Sequence, residues 1–331
     1  MLQPYSTDDL IYAVRRDCFL ANSDENWTEA RILSIAHDCI LEGLAPRMKN
    51  AKQNWFLQSA SVTFVASVSA YDVPPEAMWN GISSVQLRQT SDGLLCGKLN
   101  IIEPDNEYMY GQVQNPAIPN NFWVDQTQLH VIPSPDANAA STYDAKLTYY
   151  RRPAQMITLA QAVTVQSITS LSVTTSSQPS YFSTNAPDAY TTGRPSRVDV
   201  YNRLQPYTRR FTNMTGSITS ATGFTFNGSV TAAQVAKIQS GDILTVYGTT
   251  IFPDVPPELH PYLRRLTAAT IRLAQGDPAY QAVIDRVGID VDNFLRGMMN
   301  RTDGTARKLS MTLSAAGRIV GRNRAWWARG S

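Results

Sequence analysis

The hydrophobic period of the chain changes twice: helical at the start, alternating through the middle, helical again before a basic end. Ser6 or Thr7 caps a first predicted helix running to about Ala21, with Asp8 and Asp9 in the first turn, where the helix dipole favours acids. Leu10, Val14 and Cys18 recur every four residues, with Ile11 beside them. Thr28 caps a second helix, although Arg31 stands where a capping box would place Glu. Leu33, Ala36, His37, Ile40, Leu41 and Leu44 mark its face, and Pro46 is expected to kink or end it.

Alternation then predicts strands. From Ser59 onward, Val62, Phe64, Ala66, Val68 and Ala70 share one face, and Tyr71-Asp72-Val73-Pro74-Pro75 closes the run. Further strands are expected at Ile82–Leu87, Phe122–Val124 and Gln128–Ile132. A longer one covers Tyr143–Arg152, with Tyr143, Ala145, Leu147 and Tyr149 on one face, until Pro153 ends it. Residues 57–153 therefore predict an antiparallel sheet or small sandwich. Between Ala154 and Pro253 Ser and Thr become dense, yet β signals persist at Val198–Val200, Ser217–Thr219, Phe224–Phe226 and Asp242–Tyr247. Ser and Thr suit strands and turns, so residues 154–253 read as a second, inserted β-rich module and not as a disordered linker.

Helices return at Pro256. Leu259, Tyr262, Leu263, Leu266, Ala269 and Leu273 form a stripe ending at Gly276, a predicted C-cap. Asp277-Pro278 opens a fourth helix bearing Tyr280, Val283, Ile284, Val287, Val291, Phe294, Leu295 and Met298. The predicted class is α+β. A helical bundle is built from both chain ends (1–56 and 254–300), around an antiparallel β-domain with its inserted module, followed by an extended C-terminal arm, 301–331.

A length of 331 residues, 43% hydrophobic and 17% charged, suits about two domains. The net charge of +2 selects no partner. Three cysteines, Cys18, Cys39 and Cys96, argue against a disulfide framework and for a reducing compartment. The opening MLQPYSTDDL lacks the order of a signal peptide, and no apolar run is long enough to span a bilayer. The N-x-S/T triplets at Asn26, Asn213, Asn227 and Asn300 then read as chance matches.

Candidate chemistry is thin. His37 lies on an apolar helix face and reads as a core residue, His130 as the solvent face of a strand, and His260 as a first-turn hydrogen-bonding group. There is no C-x-x-C, G-x-S-x-G, phosphate loop or H-E-x-x-H. Asp290-Val291-Asp292-Asn293 has the start of a calcium loop but neither its glycine nor its terminal acid, and reads as an exposed helical face. No catalytic, cofactor or metal site is predicted.

The basic end is different. Arg301, Arg307, Lys308, Arg318, Arg322, Arg324 and Arg329 stand against Asp303 alone, seven basic residues to one acidic, giving +6 and leaving −4 for residues 1–300 of a +2 chain. It also holds Leu309, Met311, Leu313, Ile319 and Val320 and closes on Trp326-Trp327. Trp and Arg dominate interface hot spots, so this is read as a partner-binding arm that orders on docking. Two alternatives stay open here: nucleic acid, held by counterion release and stacking, and an anionic membrane surface. Arg264, Arg265 and Arg272 lie off the apolar stripe of the third helix, as channel or inter-subunit contacts.

Taken in order, these motifs resemble podovirus-type phage head-to-tail adaptors. The resemblance lies in the two opening helices, the Tyr71–Pro75 phrase and the Ile82–Leu87 strand. It continues through the Phe122–Asp125 and Gln128–Pro133 hairpin, the Leu147–Pro153 strand end, and the return to helix at Val255-Pro-Pro-Glu-Leu-His260 with Gly276-Asp277. It covers about 1–153 and 255–299, and departs from the pattern where residues 154–253 replace a short loop. The resemblance implies a virion structural protein of the neck, assembled in the host cytoplasm, that forms a ring of twelve copies below the portal protein. DNA would pass through without sequence-specific binding. It also implies contact with a tail tube or nozzle protein, and with tail fibres or capsid through the insertion, but no membrane, cofactor or enzymatic activity. Arg307, Lys308, Arg318, Arg322, Arg324, Trp326, Trp327 and Arg329 become the portal-docking arm. The rival readings are a receptor- or carbohydrate-binding tail protein, suggested by the Ser/Thr-rich module and its Tyr181, Tyr190, Tyr201 and Tyr207, and a wall-degrading hydrolase, which no residue pattern supports.

Overall fold

Alternating segments form sheets and periodic ends form helices, so the chain is α+β. The computed structural model describes residues 5–22, 24–51, 54–107, 118–125, 127–176, 195–202, 209–220, 222–227 and 230–302. The chain divides into two units: Met1–Leu10 with Gln53–Pro256, and Ile11–Lys52 with Pro257–Ser331.

The first unit begins with two facing sheets. One has the order β1 (Leu57–Thr63), β8 (Tyr143–Arg151), β3 (Ala77–Gln89), β4 (Leu95–Lys98). The other has the order β2 (Ala70–Asp72), β7 (Gln128–Ile132), β6 (Asn121–Asp125), β5 (Asn100–Ile101), antiparallel except where β5 meets β6. The alternation of β8 sends Ala145, Leu147 and Tyr149 inward, where they share one core with Val85 and Leu87 of β3 and with Phe122, Leu129 and Val131 of the second sheet. Leu147 is fully buried between its register partners Ala60 and Val85.

The continuous alternation from Ser59 to Ala70 is not one strand. The chain leaves β1 at Thr63, turns with Ser67 in the left-handed region (φ 64), and joins the other sheet as β2. The Tyr71 hydroxyl closes this turn, accepting from Val65 N at 3.1 Å and donating to Val68 O at 2.8 Å. Val65 and Val68 consequently face solvent, although their spacing matches that of buried strand residues.

The inserted segment is a closed six-stranded barrel in the order β10 (Val163–Thr169), β11 (Ser172–Thr175), β14 (Gly223–Phe226), β13 (Arg209–Ser220), β12 (Pro195–Tyr201), β15 (Ile243–Val246). Closure removes the exposed edges that a Ser/Thr-rich open sheet would present. Its core holds Val165, Val173, Val198, Val200, Phe224, Phe226 and Leu244. Gly216 is required there, because any Cβ would collide with the Phe224 ring. Two short strands, β9 (Gln155–Met156) and β16 (Thr249–Thr250), pair in parallel where the barrel leaves and rejoins the chain. The insertion thus starts and ends at neighbouring points, and its length costs little closure entropy. Thr7 is tied to the same place, its N donating to Ile251 O at 2.9 Å and its Oγ1 to Ile157 O at 2.6 Å.

Helix α1 (Thr7–Cys18) starts at a reciprocal cap. Ser6 Oγ accepts from Asp9 N at 3.2 Å and the Asp9 carboxylate accepts from Ser6 N at 2.9 Å. The second unit takes the rest of α1, with α2 (Glu29–Asp38), α3 (Ala45–Asn50), α6 (His260–Ala274) and α7 (Tyr280–Thr302); two short helices, α4 (Ala137–Thr142) and α5 (Ala232–Val235), belong to the first. Pro46 does not end the second helix. A π-helical turn over Cys39–Leu44, closed by Ala45 N on Ile40 O, widens the helix just ahead of it, so the proline enters in the first turn of α3, where its missing N–H is no loss. Buried Leu33, Ile40 and Met48 belong to the helices from the N-terminal half, Leu263 and Ile271 to α6, and Val287, Val291 and Leu295 to α7. Cys18 Sγ lies 3.4 Å from Ala268 O and Cys39 Sγ 3.6 Å from Thr270 Oγ1, tying the early helices to α6. All three cysteines are free thiols; burial pushes the Cys18 and Cys39 thiols up, and Cys96 is exposed.

Helix α1 ends in a left-handed turn at Phe19 (φ 54), with Leu20 N donating to Arg15 O at 2.9 Å. Glycine is the usual residue there, and a side chain in that conformation costs about 1 kcal/mol.

Candidate functional site

The densest polar cluster among the described residues sits where the barrel meets the sandwich. Arg151, the last residue of β8, donates to both oxygens of Asp254 at 2.5 and 2.7 Å, and Ala154 N adds a third bond at 2.7 Å. Arg209 of β13 lies 3.8 Å from Asp254 and 3.4 Å from Asp199 of β12, and its Nε donates to the Tyr201 hydroxyl at 2.8 Å. Tyr201 in turn donates to Thr249 O at 3.0 Å. Asp199, wholly buried, accepts from Asn213 N and Gly248 N, both at 3.0 Å. Arg151, Tyr201 and Asp254 are buried too.

The electrostatics follow from this packing. Burial pushes the Asp254 carboxyl up, but the Arg151 charge and hydrogen bonds, with Arg209 and Ala154 N, outweigh it and hold it down at about 2. For Asp199 burial wins over Arg209 and the two backbone donors, so its carboxyl lies above the ordinary range. Burial alone would lower the Arg209 guanidinium; Tyr201, Asp199 and Asp254 around it raise it instead. Arg209 is therefore fixed as a cation serving two carboxylates, and Asp254 is the one it shares with Arg151.

A second junction lies beside the first. Tyr149 of the sandwich and Tyr247, just past β15, donate their hydroxyls to the two oxygens of Glu76 at 2.8 and 2.7 Å. Burial first, and the Glu76 charge second, push both phenols up. Glu76→Ala would leave two partly buried hydroxyls without their acceptor, and a loss of about 2–3 kcal/mol in urea unfolding is expected, with no change in sheet content by circular dichroism. Chemically these clusters are clamps: donors and acceptors answer one another, and no group of ligands suited to a metal exists among the described residues.

The residues singled out from sequence fall elsewhere. Arg264 is held within its own unit, Nε and Nη2 donating to the two oxygens of Asp17 at 2.6 and 3.1 Å. Arg265 is exposed. The Arg272 guanidinium lies 5.3 Å from the Phe19 ring centre and 5.9 Å from that of Tyr280. Arg307, Lys308, Arg318, Arg322, Arg324, Trp326, Trp327 and Arg329 lie outside the described residues. His37 is half-buried, His130 stacks on Trp123 with ring centres 3.9 Å apart, and His260 is buried at the start of α6. The seam residues escaped sequence reasoning because their partners are remote, 103 positions from Arg151 to Asp254 and 171 from Glu76 to Tyr247.

The helical unit also holds a cleft of about 510 Å³ between α3 and α7. Pro46, Ala51 and Leu295 line it, with Glu42 and Arg296. Arg47 braces its wall, donating to Asp292 at 2.5 Å and to Gly288 O at 3.0 Å.

No curated protein matches this sequence. Residues 5–223 match the profile of the SU10 adaptor protein family, and that span takes in the early helices, the sandwich and the barrel as far as the start of β14. The match therefore reaches into the segment that the resemblance to podovirus-type adaptors had left aside. Covering well over half of the chain, it decides the family: this protein belongs to the SU10 adaptor protein family, a phage adaptor family.

Proposed function

We propose that the protein is a head-to-tail adaptor that forms a ring, of twelve copies, below the portal and leaves a central channel for DNA. Family membership is the observation that carries this reading, and it implies a structural role in the virion and not a catalytic one. The failure of every candidate catalytic motif agrees with it. Head-to-tail contacts between copies would close the ring, each protomer offering two different faces. The C-terminal arm would hold the portal, with Trp326 and Trp327 in apolar pockets and Arg318, Arg322, Arg324 and Arg329 against acidic residues. The opposite side would meet a tail tube or nozzle protein. The barrel, clamped to the sandwich by ion pairs, is rigid enough to reach fibres or capsid. Arg264, engaged by Asp17, favours a channel wall that does not grip DNA.

Co-sedimentation with the purified portal tests the reading. The adaptor is expected to saturate at one chain per portal subunit and to resist moderate salt. An adaptor that stays in the supernatant at every ratio would contradict it.

A further inference from the structure

Phe19 is unfavourable on two counts in the isolated chain. It occupies a left-handed position suited to glycine, and its ring is 88% exposed. It is not alone. Tyr12, 67% exposed, and Arg16, whose side chain is 60% exposed, lie one and two turns before it on the same stripe of α1. Arg272 flanks the Phe19 ring at 5.3 Å. Aromatics and arginines gathered on one exposed surface have the composition of an interface hot spot.

We propose that this Tyr12–Arg16–Phe19 knob seats in the α3–α7 cleft of a second copy of the chain, and that this contact joins neighbours in the ring. The inference rests on the ring reading above. Knob and cleft both belong to the helical unit but stand apart on it. Tyr280, at the knob, and Asp292, at the cleft, are twelve residues apart on α7, about 18 Å along its axis. A patch that meets a different patch on the next molecule makes a heterologous contact, the kind that closes rings. The cleft's volume of about 510 Å³ has room for the phenyl and phenol side chains together. Its apolar lining of Pro46, Ala51 and Leu295 suits the rings, and Glu42 offers the knob's arginines an acid.

The test uses the full chain. Phe19→Gly relieves the backbone, so the monomer's melting temperature is expected to rise by roughly 1–4 °C. The same change should weaken subunit association by at least roughly tenfold, read as loss of rings in sedimentation velocity with portal present. Glu42→Arg, at an exposed position, should weaken association from the other side. Mixed together, the two variants retain one sound interface between them and should give dimers but no rings. Rings of normal stability from Phe19→Gly would overturn the proposal; rings from Glu42→Arg alone would overturn the cleft as the seat. A wild-type chain that forms no ring under any of these conditions would instead overturn the ring reading itself.

Discussion

Removing Arg307–Ser331 is expected to abolish binding to the portal while leaving the melting temperature within about 1 °C of the intact chain. The arm carries most of the chain's excess positive charge and its tandem tryptophans. A tryptophan buried at an interface centre is worth about 2–4 kcal/mol, so losing Trp326 and Trp327 together would weaken binding on the order of a thousandfold or more. The double variant Trp326→Ala, Trp327→Ala should therefore reproduce most of the deletion. Salt separates the alternatives. Phosphate contacts lose affinity steeply between low and physiological salt, whereas docking anchored by two aromatic rings loses little. A deletion that spares portal binding but removes DNA binding would assign the arm to nucleic acid.

Asp254→Asn is expected to destabilise the first unit by about 3–5 kcal/mol, because Arg151 would remain buried and charged without its carboxylate. The pH dependence has a definite sign. The folded carboxyl sits at about 2, below the ordinary value near 3.9, so its contribution is fully present above pH ~4 and is lost as pH falls through 2. The difference amounts to about 2.5 kcal/mol. Asp199, raised by burial, works in the opposite direction and offsets part of this on acidification. Urea unfolding at neutral pH and near pH 2.5 should show the gap between wild type and Asp254→Asn narrowing in acid. A gap that does not change with pH would mean that Asp254 is not held ionised by Arg151. Replacing both partners with leucine should recover much of the loss at neutral pH, since a buried pair stabilises little beyond well-packed apolar groups.

What could be read from the sequence was local. The period-two pattern of Tyr143–Arg152 gave the central strand and its buried face, because β8 packs on that face and every second residue reports it. The same rule misled at Ser59–Ala70, where Val65 and Val68 keep the alternation through a turn that the Tyr71 hydroxyl holds from several residues away. Pro46 was overread for a related reason. A proline forbids one hydrogen bond, but a π-turn supplied by the preceding residues restores the helix around it. Barrel closure and the seam clamp were out of reach, since Asp199, Arg209 and Asp254 gain their roles only when distant strands meet. Phe19 carried a signal in retrospect. An aromatic directly after a helix that ends without glycine is unusual, though only the left-handed backbone and the exposed ring make it informative.

Electron microscopy of the purified protein mixed with its portal tests the central claim most directly. The adaptor reading predicts a closed ring of this chain stacked under the portal, with an open channel wide enough for duplex DNA and twelvefold repetition. A chain that remains monomeric beside an unoccupied portal, or that decorates some other part of the particle, would contradict it.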